Sequence, residues 1–327
     1  MRRSYRAVVV ATGVFWSPRL PTYPGNFDGE VSHSHHYRIP RTFAGRRVLV
    51  VGAGPSAGEI AVEVSTAAQR TFMSVRGGAH VIPRWLGGRP FDAGDVEPLN
   101  RLPWRLLNRI YRRRVAREIG QAPVSWPLPG HRFLEGIPIV SSDLFPAVRR
   151  GEVLVKPAIE PLSGNRVRFV DRSEERVDSI VYATGYRISL PFLSSSLLVA
   201  NGRDFPLYRR IAPPEVGGLY FAGFVDTPGG LFPVVETQEE WIAAVFTGRL
   251  RLPPSAQMRR AIKRAERRTR QRFPDESPYS MRCDPHAYRR LLKSDLRRAR
   301  RRVWRAATTS AAGSMRPGCA PGEQPAG

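Results

Sequence analysis

The sequence has very little cysteine: Cys283 and Cys319 are the only two in 327 residues. That excludes a disulfide framework and a cysteine-built metal cluster, and without a C-x-x-C pair a disulfide reductase is disfavoured. Long hydrophobic runs are also missing, since no stretch approaches the roughly 18 apolar residues that a spanning helix needs. The opening MRRSYRAVVVATG mimics a signal peptide. Its apolar run is shorter than a typical h-region, and no small-residue cleavage site is obvious. It reads instead as a buried strand over residues 6–13 ending at a glycine turn, in a cytoplasmic protein. Acidic residues are scarce: 28 Asp and Glu stand against 52 Lys and Arg, a net charge of +24. Residues 259–305 alone hold 18 Lys and Arg against 5 Asp and Glu. Such a surface could attract nucleic acid, anionic lipid or an acidic partner. No nucleic-acid module accompanies it, so a solvated helical face is the preferred reading.

What is present is a hydrophobic share of 42%, enough for a sizeable core. Helical and strand-like stretches alternate, which predicts an α/β fold. Strands are expected at 46–51, 71–76, 152–156, 166–170, 179–184 and 219–224. Residues 14–45, rich in Pro, Gly and His, read as a connecting loop. The stretch 77–145 reads as irregular, with a basic amphipathic helix near Trp104 to Ile119. Helices are expected at 237–250, 257–272 and 286–305. From residue 306 onward, small residues, Gly and Pro predict a disordered tail.

The strongest local motif is VLVVGAGPSAGEIA, residues 48–61. Gly52, Gly54 and Ala57 fit G-x-G-x-x-[GA], with a strand before and a helix after. Gly52 allows the tight turn, Gly54 admits a pyrophosphate to the backbone, and Ala57 is small enough for helix–sheet packing. The helix start that follows, including Ser56, offers free N–H groups to the phosphates. An NAD site places an acid about 20 residues on; here the stretch is MSVRGG. Ser74 and Arg76 suit a 2′-phosphate instead, which favours NADPH.

A second segment, FDGEVSHSHHYR, precedes the glycine loop. Its three histidines, His33, His35 and His36, suggest metal. Yet further ligands in register are lacking, so no metal site is assigned. With Phe27, Gly29, His33 and Tyr37 the segment fits F-x-G-x-x-x-H-x-x-x-Y, and the chain resembles the flavin-containing monooxygenases, within the class B flavin-dependent monooxygenases. Related Baeyer–Villiger enzymes carry Trp where this chain has Tyr37. ATG at 11–13, VYATGY at 181–186, LYFAGF at 219–224 and the downstream Glu236, Gln238 and Trp241 support the resemblance, which extends to about residue 295.

The resemblance implies two dinucleotide-binding (Rossmann-like) domains. Residues 1–43 would be a remnant of the FAD-binding domain with the linker motif, and 44–187 the NADPH-binding domain. Residues 188–305 would return to the FAD-binding domain with basic helices, and 306–327 would be the tail. Thr12, Gly13, Gly223 and Gln238 would face FAD, and Thr184, Gly185 and Tyr186 would form the interdomain hinge. The family opens with its own glycine-rich FAD loop, which this chain lacks. Roughly 100 residues, a small domain's worth, are therefore expected to be absent from an incomplete FAD domain. The implied reaction uses NADPH, FAD and O2. It inserts one oxygen into a small-molecule soft nucleophile, an amine nitrogen or a sulfur, through a C4a-hydroperoxyflavin. No catalytic side chain is assigned, because the cofactor carries the hard chemistry. The alternatives are a non-catalytic NADP(H)-binding fragment and a Baeyer–Villiger-type monooxygenase. Substrate identity and homo-oligomerisation stay open.

Overall fold

The structure is a computed structural model and describes residues 3–91, 104–131, 136, 138–194, 206–227, 230–272 and 281–313. Val8–Val10 (β1), Ser17–Pro18 (β2), Gly25–Phe27 (β3) and Glu30–His33 (β4) come first. Arg47–Val51 (β5), Pro55–Ser65 (α1) and Arg70–Ser74 (β6) form a β–α–β unit. Val81–Ile82 (β7), Trp85–Leu86 (β8), Arg89–Pro90 (β9), Trp104–Ile119 (α2), Ile139–Val140 (β10) and Leu144–Arg149 (α3) follow. Then come Val153–Lys156 (β11), Ile159–Gly164 (β12), Arg166–Phe169 (β13), Glu174–Arg176 (β14) and Ser179–Tyr182 (β15). Tyr186–Arg187 (β16), Leu219–Phe221 (β17), Phe232–Phe246 (α4), Ser255–Arg272 (α5) and Pro285–Gly313 (α6) complete the order.

The central sheet runs β11-β6-β5-β15-β4, and every pairing in it is parallel. A parallel strand covered on both faces should be apolar throughout, and β5 shows why. Val48 and Val50 point into one core with α1, while Leu49 and Val51 point into another with β12 and β13. Each such side chain stabilises the fold by about 1.5–3 kcal/mol when fully buried. A second body packs Trp241 of α4, Leu292 of α6 and Tyr220 of β17 together. Beside it, β1 pairs in parallel with β17.

Several sequence expectations are corrected here. Residues 14–45 are no simple loop: β3 pairs with β12 and β4 with β15. The segment before residue 44 is thus woven into the unit expected to begin there. Within FDGEVSHSHHYR, Glu30–His33 form an edge strand. Its exposed Glu30 and Val31 blur the alternation that would have revealed it. The first strand is confined to Val8–Val10, shorter than residues 6–13. Helix α4 begins at Phe232, ahead of residue 237, because Pro233 sits in the first turn, where its missing N–H is harmless. Helix α6 continues to Gly313 through residues expected to be tail. Its alanines favour helix, which outweighs the small-residue composition. Residues 314–327 lie outside the described residues. Among the described residues, no helix is long and apolar enough to cross a membrane.

Where β5 and β15 start, one side chain fixes their register. Asp178 accepts from Arg47 N at 2.8 Å, Nε at 3.0 Å and Nη2 at 2.6 Å. These hydrogen bonds from Arg47 hold the Asp178 carboxyl down to about 2. A depressed carboxyl contributes stability that is complete above its unfolded value and lost as pH falls through its folded one. Asp178→Asn is therefore expected to be less stable than the parent in urea melts at pH 6, with the gap shrinking toward pH 2. A gap that does not change with pH would contradict this.

Candidate nucleotide site

The turn between β5 and α1 is shaped by what cannot fit there. Gly52 has φ +141°, and a Cβ on it would lie 2.4 Å from the Ala183 carbonyl oxygen. Gly54 caps α1 in an extended conformation, and a Cβ there would meet nothing. The turn is therefore closed on its inner side and open above Gly54. No side chain caps α1, and its first turn carries no acid. Its free N–H groups and positive dipole end suit an anion. Ser56 is exposed in that first turn, and Ala57 is fully buried. A close helix–sheet approach falls one residue later: a Cβ on Gly58 would lie 2.4 Å from Ile139 Cγ2. The Ala57-Gly58 pair of small residues was the available signal for that second close approach.

At the end of β6 the two residues expected to hold a 2′-phosphate part company. Arg76 is exposed just beyond the strand, and its charge lies close enough to Tyr23 to act on that phenol. Ser74 is buried, and its hydroxyl donates to the Pro157 carbonyl at 2.8 Å. That is a correction. Ser74 pairs in register with Lys156 of β11, which brings the Pro157 carbonyl alongside. The hydroxyl proton is engaged within the fold.

The histidine segment and the Thr184-Gly185-Tyr186 turn meet at one imidazole. His33 is buried; its Nδ1 accepts from the His35 backbone N–H at 3.1 Å. The proton therefore sits on Nε2, which donates to the Gly185 carbonyl at 3.1 Å. Tyr186 stacks edge-on to both His33 and His35, with ring centres 5.1 and 5.9 Å away. Thr184 Oγ1 donates to the Arg19 carbonyl at 2.5 Å, while Arg19 N donates to Gly185 at 3.0 Å. Thr184, Gly185 and Tyr186 are thus pinned from two directions. Gly29 is required because a Cβ would lie 2.5 Å from the Asp178 carbonyl and 2.6 Å from the ring of Phe27. Tyr37 donates to Glu63 of α1 at 2.8 Å, a partner that the motif alone does not reveal. Burial and this carboxylate push the Tyr37 phenol upward. Among the described residues, no three His, Cys, Asp or Glu side chains are grouped to hold a metal ion.

The residues expected near FAD lie at the ends of β1 and β17. Gly13 and Gly223 have φ +72° and +76°, and Ala222 N donates to Val10 O at 3.0 Å, so the two turns are neighbours. A Cβ at Gly13 would meet nothing, and at Gly223 only Val235 at 3.8 Å. Both therefore face open space and fit a cofactor that approaches the backbone. Thr12 is exposed beside them. Gln238 is different. It is fully buried, accepting from Gly223 N at 2.8 Å and donating to the Tyr288 hydroxyl at 2.8 Å. It shapes the Gly223 turn from behind.

Comparison with known proteins bears on this geometry. The family described as flavin-binding monooxygenase-like matches residues 2–292. Dimethylaniline monooxygenase (N-oxide-forming) 4 of Mus musculus is 34% identical over 79% of this chain and 48% of its own length. Flavin-containing monooxygenase 5 of Homo sapiens is 30% identical over 86% of this chain and 55% of its own. The chain spans about half the length of the curated relatives it matches. The solved S-allyl-L-cysteine S-oxygenase from Allium sativum superposes with TM-score 0.60 at 24% identity, over 89% of this chain and 54% of that one. Cyclohexanone monooxygenase from Rhodococcus sp. Phi1 gives 0.61 at 16%, over 88% and 72%. These two likenesses concern the fold alone.

The His33 contact is testable by pH. Burial, the largest cause, and the nearby His35 and His36 lower the affinity of His33 for a proton, while the bond to Gly185 opposes them. A lowered imidazole makes the unfolded chain the better proton binder. Its stabilisation is therefore complete above the unfolded value near 6.5 and declines below it. His33→Gln keeps a donor for Gly185 but does not titrate. The variant should lose stability less steeply than the parent between pH 7 and 5 in denaturant melts; equal slopes would refute the assignment.

Proposed function

The chain belongs to the flavin-binding monooxygenase-like family, and from that premise we propose that it binds NADPH at the β5–α1 turn and works with FAD in a monooxygenase. The observation that carries this is the turn itself. Gly52 is pressed against Ala183, and the backbone above Gly54 is open. Gly54 would let the pyrophosphate approach, the N–H groups of Ser56 and Ala57 would orient it, and Arg76 would pair with the 2′-phosphate. Gly13 and Gly223 would let FAD approach the β1 and β17 ends, beside Thr12. When bound, these cofactors would supply hydride transfer and O2 activation. The protein's part is to position them and keep water out, with Thr184, Gly185 and Tyr186 as the hinge.

Residues 44–187 together with β3 and β4, which pair with β12 and β15, would form the NADPH unit, with the rest of 1–43 and 188–305 on the flavin side. The substrate would be a small soft nucleophile, an amine nitrogen or a sulfur. It would take one oxygen atom of O2, while NADPH and a proton carry the other to water. The N-oxide-forming name of the 34% identical relative, and Tyr37 in place of Trp, support this over a Baeyer–Villiger reaction. A second reading, NADP(H) binding without turnover, is favoured by Gln238, whose amide is satisfied inside the fold.

Two measurements test these readings. Arg76→Ala should weaken NADPH binding about tenfold, as loss of a charge-assisted pair predicts, and leave NADH binding nearly unchanged. Equal loss for both nucleotides would remove Arg76 from the 2′-phosphate. The purified chain is then mixed with FAD and titrated anaerobically with NADPH. Bleaching of a bound flavin band that returns with O2 supports the monooxygenase. Retained NADPH with no retained flavin supports the second reading.

A further inference from the structure

Away from the nucleotide turns, a cleft of about 530 Å³ lies between α5, α6 and the segment around Arg209 and Arg210. Its size suits a small molecule. Arg264 and Arg268 stand one turn apart on α5 and both line it. Like charges at that spacing repel each other. Arginines around the cleft have carboxylate partners: Arg209 with Asp295, Arg259 with Glu215, Arg282 with Asp226. Among the described residues, no carboxylate is within ion-pair distance of Arg264 or Arg268. Arg210 borders the cleft with its guanidinium engaged, donating to the Arg282 carbonyl at 2.7 Å and Thr269 Oγ1 at 3.3 Å. Arg209 and Arg210 both have φ +55°, a region that non-glycine residues rarely adopt. Such strain is held only where the surroundings enforce it, and it gathers at functional sites.

Ala261, Ala265 and Leu291 give the lining an apolar side, while Thr269 and Asp284 border it as polar groups. Burial pushes the Cys283 thiol up to about 12, so the sulfur in this cleft is no nucleophile. We propose that the cleft binds a small organic anion. Its oxyanion head would sit between Arg264 and Arg268, and its apolar body would lie on Ala261, Ala265 and Leu291. A polynucleotide fits less well, since the cationic groups converge in a concave, partly apolar site.

The test uses the full chain and 8-anilinonaphthalene-1-sulfonate, a sulfonate on an aromatic body, followed by fluorescence. Arg264→Gln with Arg268→Gln should weaken its binding about tenfold. Arg267→Gln with Arg270→Gln removes the same charge from a separate groove on α5, and should change binding less than twofold. Ala265→Trp fills the cleft without altering charge and should also abolish binding, with circular dichroism confirming the helix content of each variant. Equal weakening in both double variants would mean a diffuse field and overturn the proposal. So would unchanged binding in Ala265→Trp. Displacement of the probe by a short single-stranded oligonucleotide at lower concentration than by naphthalene sulfonate would overturn it in favour of a polyanion surface.

Discussion

The C-terminal end of β15 is the point on which the site depends. Three successive carbonyl-bearing residues leave that strand, and each meets a different segment. Ala183 presses on Gly52, Thr184 exchanges hydrogen bonds with Arg19, and Gly185 accepts from His33. The parallel pairing of β15 with both β4 and β5 makes this possible, since it brings all three strand ends to the same edge. Ligands in open α/β sheets bind at that edge, outside the carboxyl ends of the strands. A side chain at residue 52 would push Ala183 away, and with it the Gly185 turn that His33 holds.

A comparable economy operates in the second body. Gly223 N bonds to Gln238, Gln238 to the Tyr288 hydroxyl, and that hydroxyl to the Arg209 carbonyl at 2.5 Å. Every polar atom of the buried Gln238 amide that this chain uses has a partner, as burial demands. The chain of bonds joins the turn after β17 to the strained pair Arg209 and Arg210. A polar group first read as a ligand contact is thus the brace that shapes a backbone turn.

Much of this was legible in the sequence because local chemistry decided it. The run VLVVGAGPSAG combines an apolar strand, glycines and a helix start, and no long-range information is needed to read it. The basic helix at Trp104–Ile119 was equally plain from its spacing. What escaped was set by distant partners. The β4 strand owes its existence to β15, some 150 residues on, and its exposed face hides the pattern. Ser74 and Gln238 are ordinary polar residues until Pro157 and Tyr288 are placed beside them. The role of Gly58 follows from Ile139, and that of Glu63 from Tyr37, each from a contact across the fold.

The central claim is that nucleotide binding is organised where Gly52 meets the end of β15. Backbone hydrogen exchange, measured with and without saturating NADPH, tests it most directly. Added protection confined to residues 52–58 and 183–187, with residues 74–77 following, is the expected result. Protection elsewhere, with those segments unchanged, would contradict it.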